Sequence, residues 1–275
     1  MRRFNLIDVF TTVPYRGNPV AVVLDGDGLT SEQMQRLAHW LNLSETTFLL
    51  APSDARADYR VRIFMPTAEL PFAGHPTLGS CHAWLASGGS PKRAGAIVQE
   101  CDAGLIPVRQ TVDGLAFAAP PLRRSGPVEE SLVGHIASVL EIARGDVAQA
   151  QWVDNGPGWV AVMLESADAV LALRPGPVDL MLGVVGPYPQ GSAEAFEVRA
   201  FFPKDGSTVE DPATGSLNAS LAQWLLASGR ASAPYMVSQG SALGRSGRVH
   251  ISQDADGEIW VGGASVTCAS GELEL

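Results

Sequence analysis

The feature that most constrains the fold of this chain is a repeat of its own sequence at about half its length. Residues 59–66 (YRVRIFMP) return as residues 196–203 (FEVRAFFP), which lie 137 positions later (196 − 59). Residues 75–80 (HPTLGS) return as residues 211–216 (DPATGS), 136 positions later (211 − 75). A single repeat at this spacing is too long for a solenoid and fits two lobes built to one plan. We therefore look for chemistry where the copies differ, at His75 and Asp211.

Length and charge bound the possible functions. The 275 residues are enough for two domains that each bury a core. Acidic residues outnumber basic ones by 29 to 19, so the formal net charge is −10. This balance argues against nucleic acid and anionic membranes as partners. Because Asp8 interrupts any signal-peptide core and no later apolar run reaches the roughly 20 residues that span a bilayer, we expect a cytoplasmic protein.

The cysteines and histidines do not form a recognisable metal or disulfide pattern. Cys81, Cys101 and Cys268 are odd in number, lie far apart and show no C-x-x-C spacing. We predict that they are reduced packing thiols. His75 and His82 are seven positions apart (82 − 75), and no other His, Cys or acid stands at ligand spacing. A metal site is therefore not expected.

Short apolar runs separated by Gly, Pro and Asp predict mainly strands, at residues 4–10, 20–24, 46–50, 59–64, 97–100, 160–164, 198–202 and 249–251. Three patterns predict helices. The first begins after Thr30, where Gln33 completes a capping box, and ends at Asn42. The second runs over residues 76–86 with Pro76 as its first residue, and its repeat partner over residues 212–229. Both are apolar on nearly every side, which indicates buried helices.

These elements predict an α+β fold of two pseudo-symmetric lobes, each a curved, mostly antiparallel sheet wrapped around a central buried helix. Residues 120–127 (PPLRRSGP) are predicted to connect the lobes, since proline pairs and a basic patch cannot continue a sheet. We place the N-terminal lobe at residues 1–121 and the C-terminal lobe at residues 122–275, with the last strand free to return to the first lobe.

The repeated Gly-Ser pairs are candidates for binding an anion. We predict that each pair lies in the first turn of a buried helix, where free N–H groups and the helix dipole attract a carboxylate or phosphate. Two such ends related by pseudo-symmetry would face one another and form a cleft for a small anion. The alternative is that Gly allows tight packing and Ser caps the helix. The duplication favours binding.

Three polar residues are candidates for catalysis. Glu45 stands between a helix end and an apolar strand, where partial desolvation would raise its pKa and suit a residue that removes and returns a proton. The alternative is a Glu on an edge strand that points to solvent. His75 and Asp211 open the two repeated helices and would supply a donor and an acceptor. The alternative is that His75 is an ordinary loop residue and Asp211 an ordinary N-cap.

Four segments, in order and over nearly the whole chain, resemble the phenazine-biosynthesis PhzF-like family. They are residues 17–22 (GNPVAV), 43–48 (LSETTF), 71–79 (PFAGHPTLG) and 210–216 (EDPATGS). The resemblance implies the diaminopimelate-epimerase-like fold, which has two pseudo-symmetric lobes. In the enzyme for which the family is named, an isomerase without a cofactor moves a proton on trans-2,3-dihydro-3-hydroxyanthranilate.

The resemblance also implies roles for individual residues. It assigns the acid/base role to Glu45, makes His75 and Asp211 further catalytic residues that contact the substrate, adds a substrate contact at Ser216, and takes backbone donors from Gly74 and Gly215. It implies a homodimer, a small anionic carboxylate as substrate, and neither cofactor nor metal. Racemases on this fold use two facing cysteines near the start of the same helices. Here those positions carry His75 and Asp211, which argues against two-thiol racemisation.

We therefore expect a cofactor-independent isomerase that transfers a proton on a small cyclic or amino carboxylate. Two alternatives stay open: an epimerase, racemase or dehydratase of an amino or hydroxy acid, and a non-catalytic binder of small carboxylates. Residues 154–157 (DNGP) and Tyr188 are candidates for selecting the substrate ring. Asn-Gly and Gly-Pro sequences are also common in ordinary turns.

Overall fold

The computed structural model describes residues 1–204 and 206–275, and its contacts group these residues into two units. Unit 1 comprises Met1–Ala118 and Gly262–Leu275, and unit 2 comprises Ala119–Val261. Each unit is a mixed, mostly antiparallel sheet around one long buried helix. The predicted α+β class is therefore confirmed.

Unit 1 contains nine strands and two helices among its described residues. The strands are β1 (Arg2–Val9), β2 (Asn18–Val23), β3 (Glu45–Leu50), β4 (Tyr59–Phe64), β5 (Glu69–Leu70), β6 (Ile97–Cys101), β7 (Gly104–Thr111), β8 (Gly114–Ala118) and, from the end of the chain, β18 (Ser265–Leu273); the helices are α1 (Ser31–Leu41) and α2 (Gly74–Ala86). Strands pair in the order β18-β1-β2-β3-β4-β6-β7-β8, with β5 forming a hairpin on β4. Only β2–β3 and β4–β6 of these pairs are parallel.

Unit 2 repeats this plan. Its strands are β9 (Arg124–Pro127), β10 (Gln149–Asp154), β11 (Val160–Met163), β12 (Leu182–Pro187), β13 (Phe196–Lys204), β14 (Ser207–Asp211), β15 (Tyr235–Gln239), β16 (Gly247–Gln253) and β17 (Ile259–Gly263), whose last two residues belong to unit 1; its helices are α3 (Glu130–Val139), α4 (Ala167–Ala172) and α5 (Gly215–Ala227). The pairing order β9-β10-β11-β12-β13-β15-β16, with β14 as a hairpin on β13, matches that of unit 1. The parallel pairs again fall at corresponding places, β11–β12 and β13–β15.

The central helices are buried because they carry almost no polar face. In α2, the first eight residues are all buried, and the helix contacts β1, β2, β3, β4, β8 and β18. Gly79 allows the close approach, since a Cβ at that position would lie 2.4 Å from Cγ1 of Val20. The shorter helices cover the outer faces of the sheets. In unit 1, Met34 and Leu37 of α1 pack with Phe48 and Phe64.

All eight predicted strands are present within a few residues of their predicted bounds, and β4 has the predicted bounds. The remaining strands and the short helices α3 and α4 were not predicted. The prediction that residues 120–127 cannot continue a sheet is wrong, because Arg124–Pro127 form β9, antiparallel to β10. Pro127 is the last residue of this four-residue strand, where a missing N–H is tolerated.

The three predicted helices exist, but two begin elsewhere. Helix α1 has the predicted capping box at Thr30, and Asn42, the predicted end, is its C-cap residue. Helix α2 begins at Gly74, which makes Pro76 its third residue; proline is tolerated there because N–H groups of the first turn have no partner within the helix. Helix α5 covers Gly215–Ala227, not residues 212–229, and Asn218 N–H to Thr214 C=O is its first helical hydrogen bond.

The positions of the two central helices show which residues of the two units correspond. This correspondence differs from the one that the repeated sequences HPTLGS and DPATGS indicated. Both central helices have 13 residues, and their starts are 141 positions apart (215 − 74), not 136. The difference arises in the hairpin, where Phe64 pairs with Glu69 in unit 1 and Phe201 pairs with Glu210 in unit 2. The second hairpin is four residues longer, since 210 − 201 exceeds 69 − 64 by four. His75 therefore corresponds to Ser216, and the prediction that it corresponds to Asp211 is wrong.

Side-chain contacts support this register. Thr77 and Asn218 are each the fourth residue of a central helix, and each donates a hydrogen bond to the carbonyl oxygen before the helix, on Ala73 and Thr214, at 2.9 Å. Each also bonds a strand glutamine: Gln99 donates to Thr77 Oγ1 at 2.9 Å, whereas Asn218 donates to Gln239 at 2.8 Å. The duplicated helices are thus held to their sheets by duplicated hydrogen bonds.

Cys81, Cys101 and Cys268 are all free thiols; Cys81 and Cys101 are buried, as predicted for packing thiols, whereas Cys268 is half-buried. In residues 1–204 and 206–275, we find no helix with the length and apolar character needed to cross a membrane.

Candidate active site

Glu45 is the first residue of β3, a strand that pairs with β2 on one side and β4 on the other. Side chains alternate along the strand, so Glu45 shares a face with Thr47, whose hydroxyl is bonded to Ser80 of α2 at 2.8 Å. The side chain of Glu45 is only 15% exposed. The alternative of a solvent-facing Glu on an edge strand is therefore wrong. The carboxyl group lies on the face of the sheet that covers α2.

His75 is the second residue of α2, and its side chain is 6% exposed. Its Nε2 lies 3.5 Å from Oε2 of Glu45. The ring also bonds the backbone carbonyl of Pro19, and since Nε2 has no hydrogen bond to a described residue, Nδ1 makes this bond. Burial lowers the pKa of His75 from 6.5 to about 3, although the bond to Pro19 opposes the shift. His75 is thus a buried, oriented residue, and not the ordinary loop residue of the alternative.

The protonation of His75 follows from these contacts. At neutral pH the ring is uncharged and carries one proton. Because the carbonyl of Pro19 requires that proton on Nδ1, Nε2 presents a lone pair to the carboxyl group of Glu45. A carboxylic acid can donate to such a lone pair, whereas a carboxylate cannot. The pair can therefore stabilise the protonated form of Glu45.

The start of α2 also leaves backbone donors available. Its N-cap residue, Ala73, makes no side-chain capping bond, in contrast to Thr30 of α1. The first helical hydrogen bond runs from Thr77 N–H to Ala73 C=O, so the N–H groups of Gly74 and His75 precede it. Helix α3 lacks a side-chain cap as well, but it begins at exposed glutamates. The uncapped start of α2 is buried and lies beside Glu45, where an anion can replace the missing cap.

The start of α5 in unit 2 is likewise uncapped. The cap residue Thr214 has a hydroxyl, but that group donates to Oδ2 of Asp211 at 2.6 Å. The N–H groups of Gly215, Ser216 and Leu217 precede the first helical hydrogen bond. Both Gly-Ser pairs were predicted to lie in the first turn of a helix, but only Gly215-Ser216 does. Gly79-Ser80 falls in the middle of α2, because that helix begins five residues before Gly79.

Asp211 is the last residue of β14, so the prediction that it opens or caps the helix is wrong. Its carboxylate accepts from Thr214, and its backbone carbonyl accepts from the side chain of Gln239 at 3.1 Å. Ser216, the second residue of α5, takes the helix position that we had assigned to Asp211. Asp211 remains a half-buried acceptor near the start of that helix.

Within unit 1 the structure brings together Glu45, Gly74 and His75, and within unit 2 Asp211, Gly215 and Ser216. Sequence reasoning missed the residues that hold these groups. Pro19 was part of a quoted motif, but its role comes from a backbone carbonyl that no side-chain pattern indicates. Trp159 donates from its indole N–H to the hydroxyl of Ser216 at 3.0 Å. Nothing in the spacing of Trp159 and Ser216 pointed to this contact.

The thiols do not provide acid/base groups at the helix starts. Cys81 is the eighth residue of α2 and is buried, and burial raises its pKa to about 12. The second residues of the two central helices are His75 and Ser216, which contain no sulfur. The chain therefore lacks both of the cysteine thiols that a two-thiol racemase would use at these helix starts.

Comparison with known proteins agrees with this architecture. Residues 7–271 match the family model described as phenazine biosynthesis-like protein. The chain is 36% identical to antisense-enhancing sequence 1 of Schizosaccharomyces pombe, covering 98% of this chain and 97% of the relative. It is 34% identical to trans-2,3-dihydro-3-hydroxyanthranilate isomerase of Pseudomonas aeruginosa, with full coverage of both chains. A PhzF-family protein of Bacillus anthracis has the same fold, with a TM-score of 0.86 at 23% identity over 100% of this chain and 99% of that one.

The duplicated α+β fold and these relatives place the chain among enzymes of the isomerase class. The chain belongs to the phenazine biosynthesis-like family, PhzC-PhzF.

Proposed function

We propose that this chain catalyses proton transfer on a small carboxylate and that Glu45 is its acid/base group. The observation that carries the proposal is the buried pair of Glu45 and a neutral His75, at 3.5 Å, beside the uncapped start of α2. An isomerase of this kind needs one group that removes a proton from carbon and returns it at another carbon. The pair supplies such a group.

The mechanism follows from the state of His75. The carboxylate of Glu45 removes a proton from a carbon activated by the substrate's carboxyl group or diene, and becomes a carboxylic acid. That acid donates a hydrogen bond to Nε2 of His75, which presents a lone pair. Because the pKa of His75 is low, the ring holds the proton near Glu45 without taking it. Glu45 then delivers the same proton to a second carbon, and no proton is gained or lost overall.

For unit 2 we propose substrate contacts. Ser216 supplies a hydroxyl donor, Asp211 supplies an acceptor, and the N–H groups at Gly215 and Ser216 suit a carboxylate. For unit 1 we propose the same backbone role for Gly74. The relative of Pseudomonas aeruginosa suggests trans-2,3-dihydro-3-hydroxyanthranilate as the substrate to test. The relative of Schizosaccharomyces pombe has a different name at similar identity, so other small cyclic carboxylates belong in the same assay. The homodimer, the cytoplasmic location and the lack of a cofactor stay predictions.

The test is incubation of trans-2,3-dihydro-3-hydroxyanthranilate with the protein in heavy water, followed by mass spectrometry. Glu45→Gln is the inactive control, and Glu32→Gln, a change at an exposed residue of α1, is the control for substitution itself. We expect the isomerised product, a ketone, or deuterium uptake with the wild type and with Glu32→Gln. We expect neither with Glu45→Gln.

The outcomes also separate the alternatives. Deuterium at a stereocentre without isomerised product would indicate an epimerase. Loss of water from a hydroxy acid would indicate a dehydratase. If the folded wild type neither converts any small carboxylate in the assay nor exchanges a proton with it, the catalytic proposal is wrong and binding alone remains to be tested.

A further inference from the structure

Ser216 is held by two side chains from a single loop of unit 2. This loop, residues 154–159 (DNGPGW), joins β10 to β11. Asn155 donates from Nδ2 to the backbone carbonyl of Ser216 at 2.9 Å, and Trp159 donates from Nε1 to its hydroxyl oxygen at 3.0 Å. The backbone and the side chain of Ser216 are thus both bonded.

The loop is built to hold these two donors in place. Oδ1 of Asp154 accepts from the N–H groups of Gly156 and Gly158, both at 2.7 Å. Both glycines have positive φ, +144° and +92°, which other residues rarely adopt. Val153 N–H bonds the carbonyl of Trp159 at 3.1 Å and closes the loop. The indole of Trp159 is buried, so its N–H has a fixed direction.

The bond from Trp159 decides what the Ser216 hydroxyl can do. A serine hydroxyl has one proton to donate, and an indole N–H can only donate. Because Trp159 occupies an acceptor position on Oγ, the proton of Ser216 must point elsewhere. Among residues 1–204 and 206–275, it has no protein acceptor, and the side chain is only partly buried. The hydroxyl therefore presents its proton at the start of α5, beside the N–H groups of the first turn, which have no acceptor within the helix.

We propose that Trp159 is a positioning residue that fixes Ser216 as a donor to a substrate carboxylate. This inference rests on the proposed function. It gives the loop of residues 154–159 a task beyond forming a turn, and it requires an acceptor oxygen on the ligand at the position next to Ser216. Trp159 acts through Ser216 and needs no contact with the substrate.

The experiment measures binding and turnover in a double-mutant cycle of Trp159→Phe and Ser216→Ala. The binding probe is 3-hydroxyanthranilate, an aromatic carboxylate analogue without a proton to transfer; the turnover probe is trans-2,3-dihydro-3-hydroxyanthranilate. Loss of one hydrogen bond changes an equilibrium by roughly tenfold or less. We expect Trp159→Phe to raise Kd and KM about five- to tenfold with kcat within about twofold, because the bond is made to both ground and transition states. In the Ser216→Ala background, Trp159→Phe should raise Kd and KM further by less than about twofold.

The matched control is Trp260→Phe. Trp260 is also buried in unit 2 and donates its indole N–H to a side-chain oxygen, Oδ2 of Asp254, at 3.2 Å. We expect this variant to bind and turn over like the wild type. An equal, additive effect of Trp159→Phe in both backgrounds would show that Trp159 acts by packing and would overturn the inference, as would no effect at all.

A second measurement covers the case in which Trp159→Phe does not fold. In an NMR spectrum, Ser216→Ala should move the indole N–H resonance of Trp159, since its acceptor is lost. Addition of 3-hydroxyanthranilate should move that resonance in the wild type but not in Ser216→Ala; an equal shift in both would overturn the inference. If the wild type neither binds the analogue nor converts the turnover probe, the proposed function fails, and the inference fails with it.

Discussion

The two units share a framework and differ in the groups that they present at the start of the central helix. In unit 1 the second helix residue is His75, paired with Glu45 of β3 and bonded to the carbonyl of Pro19. In unit 2 the second helix residue is Ser216, bonded by Trp159. The strand corresponding to β3 is β12, which begins with Leu182 and has no acid there. Unit 1 thus carries the acid/base pair, and unit 2 carries hydrogen-bonding groups.

The framework residues explain how this difference is tolerated. Arg62 of β4 bonds Glu69 across the hairpin, lies 5.0 Å from the ring centre of Phe64 and donates to Ser31 at the start of α1. Arg199 of β13 does the same with Glu210 and Phe201 and donates to carbonyls at the end of α4, on Val170 and Leu173. These contacts lie on the outer faces of the sheets, away from the central helices. Groups at the helix starts can change without disturbing them.

The largest effect we expect is on catalysis, from Glu45→Gln. A positioned acid or base contributes about 10²- to 10⁴-fold to a proton-transfer rate, so kcat for isomerisation should fall by roughly that factor. Rates of product formation and deuterium uptake check this, with Glu32→Gln as the control. A decrease below about threefold in the Glu45 variant would contradict the assignment of acid/base chemistry to unit 1.

The next effect is on stability and compares the two arginines. Arg199 and Glu210 are 5% and 11% exposed, whereas Arg62 and Glu69 are 20% and 36% exposed. Arg199→Met leaves a buried carboxylate unpaired and should lower the free energy of unfolding by about 3–5 kcal/mol. The same change at Arg62 should lower it by about 1 kcal/mol or less. Urea denaturation measures both; equal losses would show that the two hairpins do not differ in burial as described.

His75 of unit 1 should contribute a pH-dependent effect on stability. Burial lowers the pKa of His75 to about 3 in the folded protein, while the unfolded chain has the ordinary value near 6.5. The unfolded state therefore binds one more proton between these values, so stability is full above about pH 6.5 and is lost as the pH falls toward 3. The slope from this group is at most about 1.4 kcal/mol per pH unit.

Denaturant unfolding of the wild type and of His75→Gln at pH 7 and pH 5 isolates this contribution. The stability of the wild type relative to the variant should decrease at pH 5, because glutamine does not titrate. Parallel curves for the two proteins would mean that His75 is not buried as a neutral ring.

The smallest effect concerns the bond that fixes α2 to its sheet. Thr77→Val keeps the shape of the side chain but removes the acceptor of Gln99, a buried donor. We expect a loss of about 1–2 kcal/mol in the free energy of unfolding. Thr67→Val, at an exposed residue, is the control and should change stability by less than about 0.5 kcal/mol. A loss no larger than that of the control would show that the hydrogen bond between Gln99 and Thr77 does not stabilise the attachment of α2 to its sheet.

Much of the site was predictable from local sequence. Glu45, His75, Gly215 and Ser216 stand in motifs that resemble the family, and the capping box of α1 depends only on residues close in sequence. The residues that bond the catalytic and binding groups were not predictable. Pro19 of β2 and Trp159 of the loop between β10 and β11 reach His75 and Ser216 from distant parts of the sequence, and the first of these contacts uses a backbone carbonyl.

The sequence by itself determined the duplicated plan, the α+β class, eight of the eighteen described strands and the identity of the candidate residues, because hydrophobic periodicity and motif residues are local properties. Only the tertiary structure decided which residues of the two copies correspond. The hairpin of β13 and β14 is four residues longer than that of β4 and β5, so a similar local sequence occupies different helix positions in the two units. The start of each helix depends on which backbone N–H first finds a carbonyl four residues earlier, and strand residues such as Gln239 bias that choice from afar.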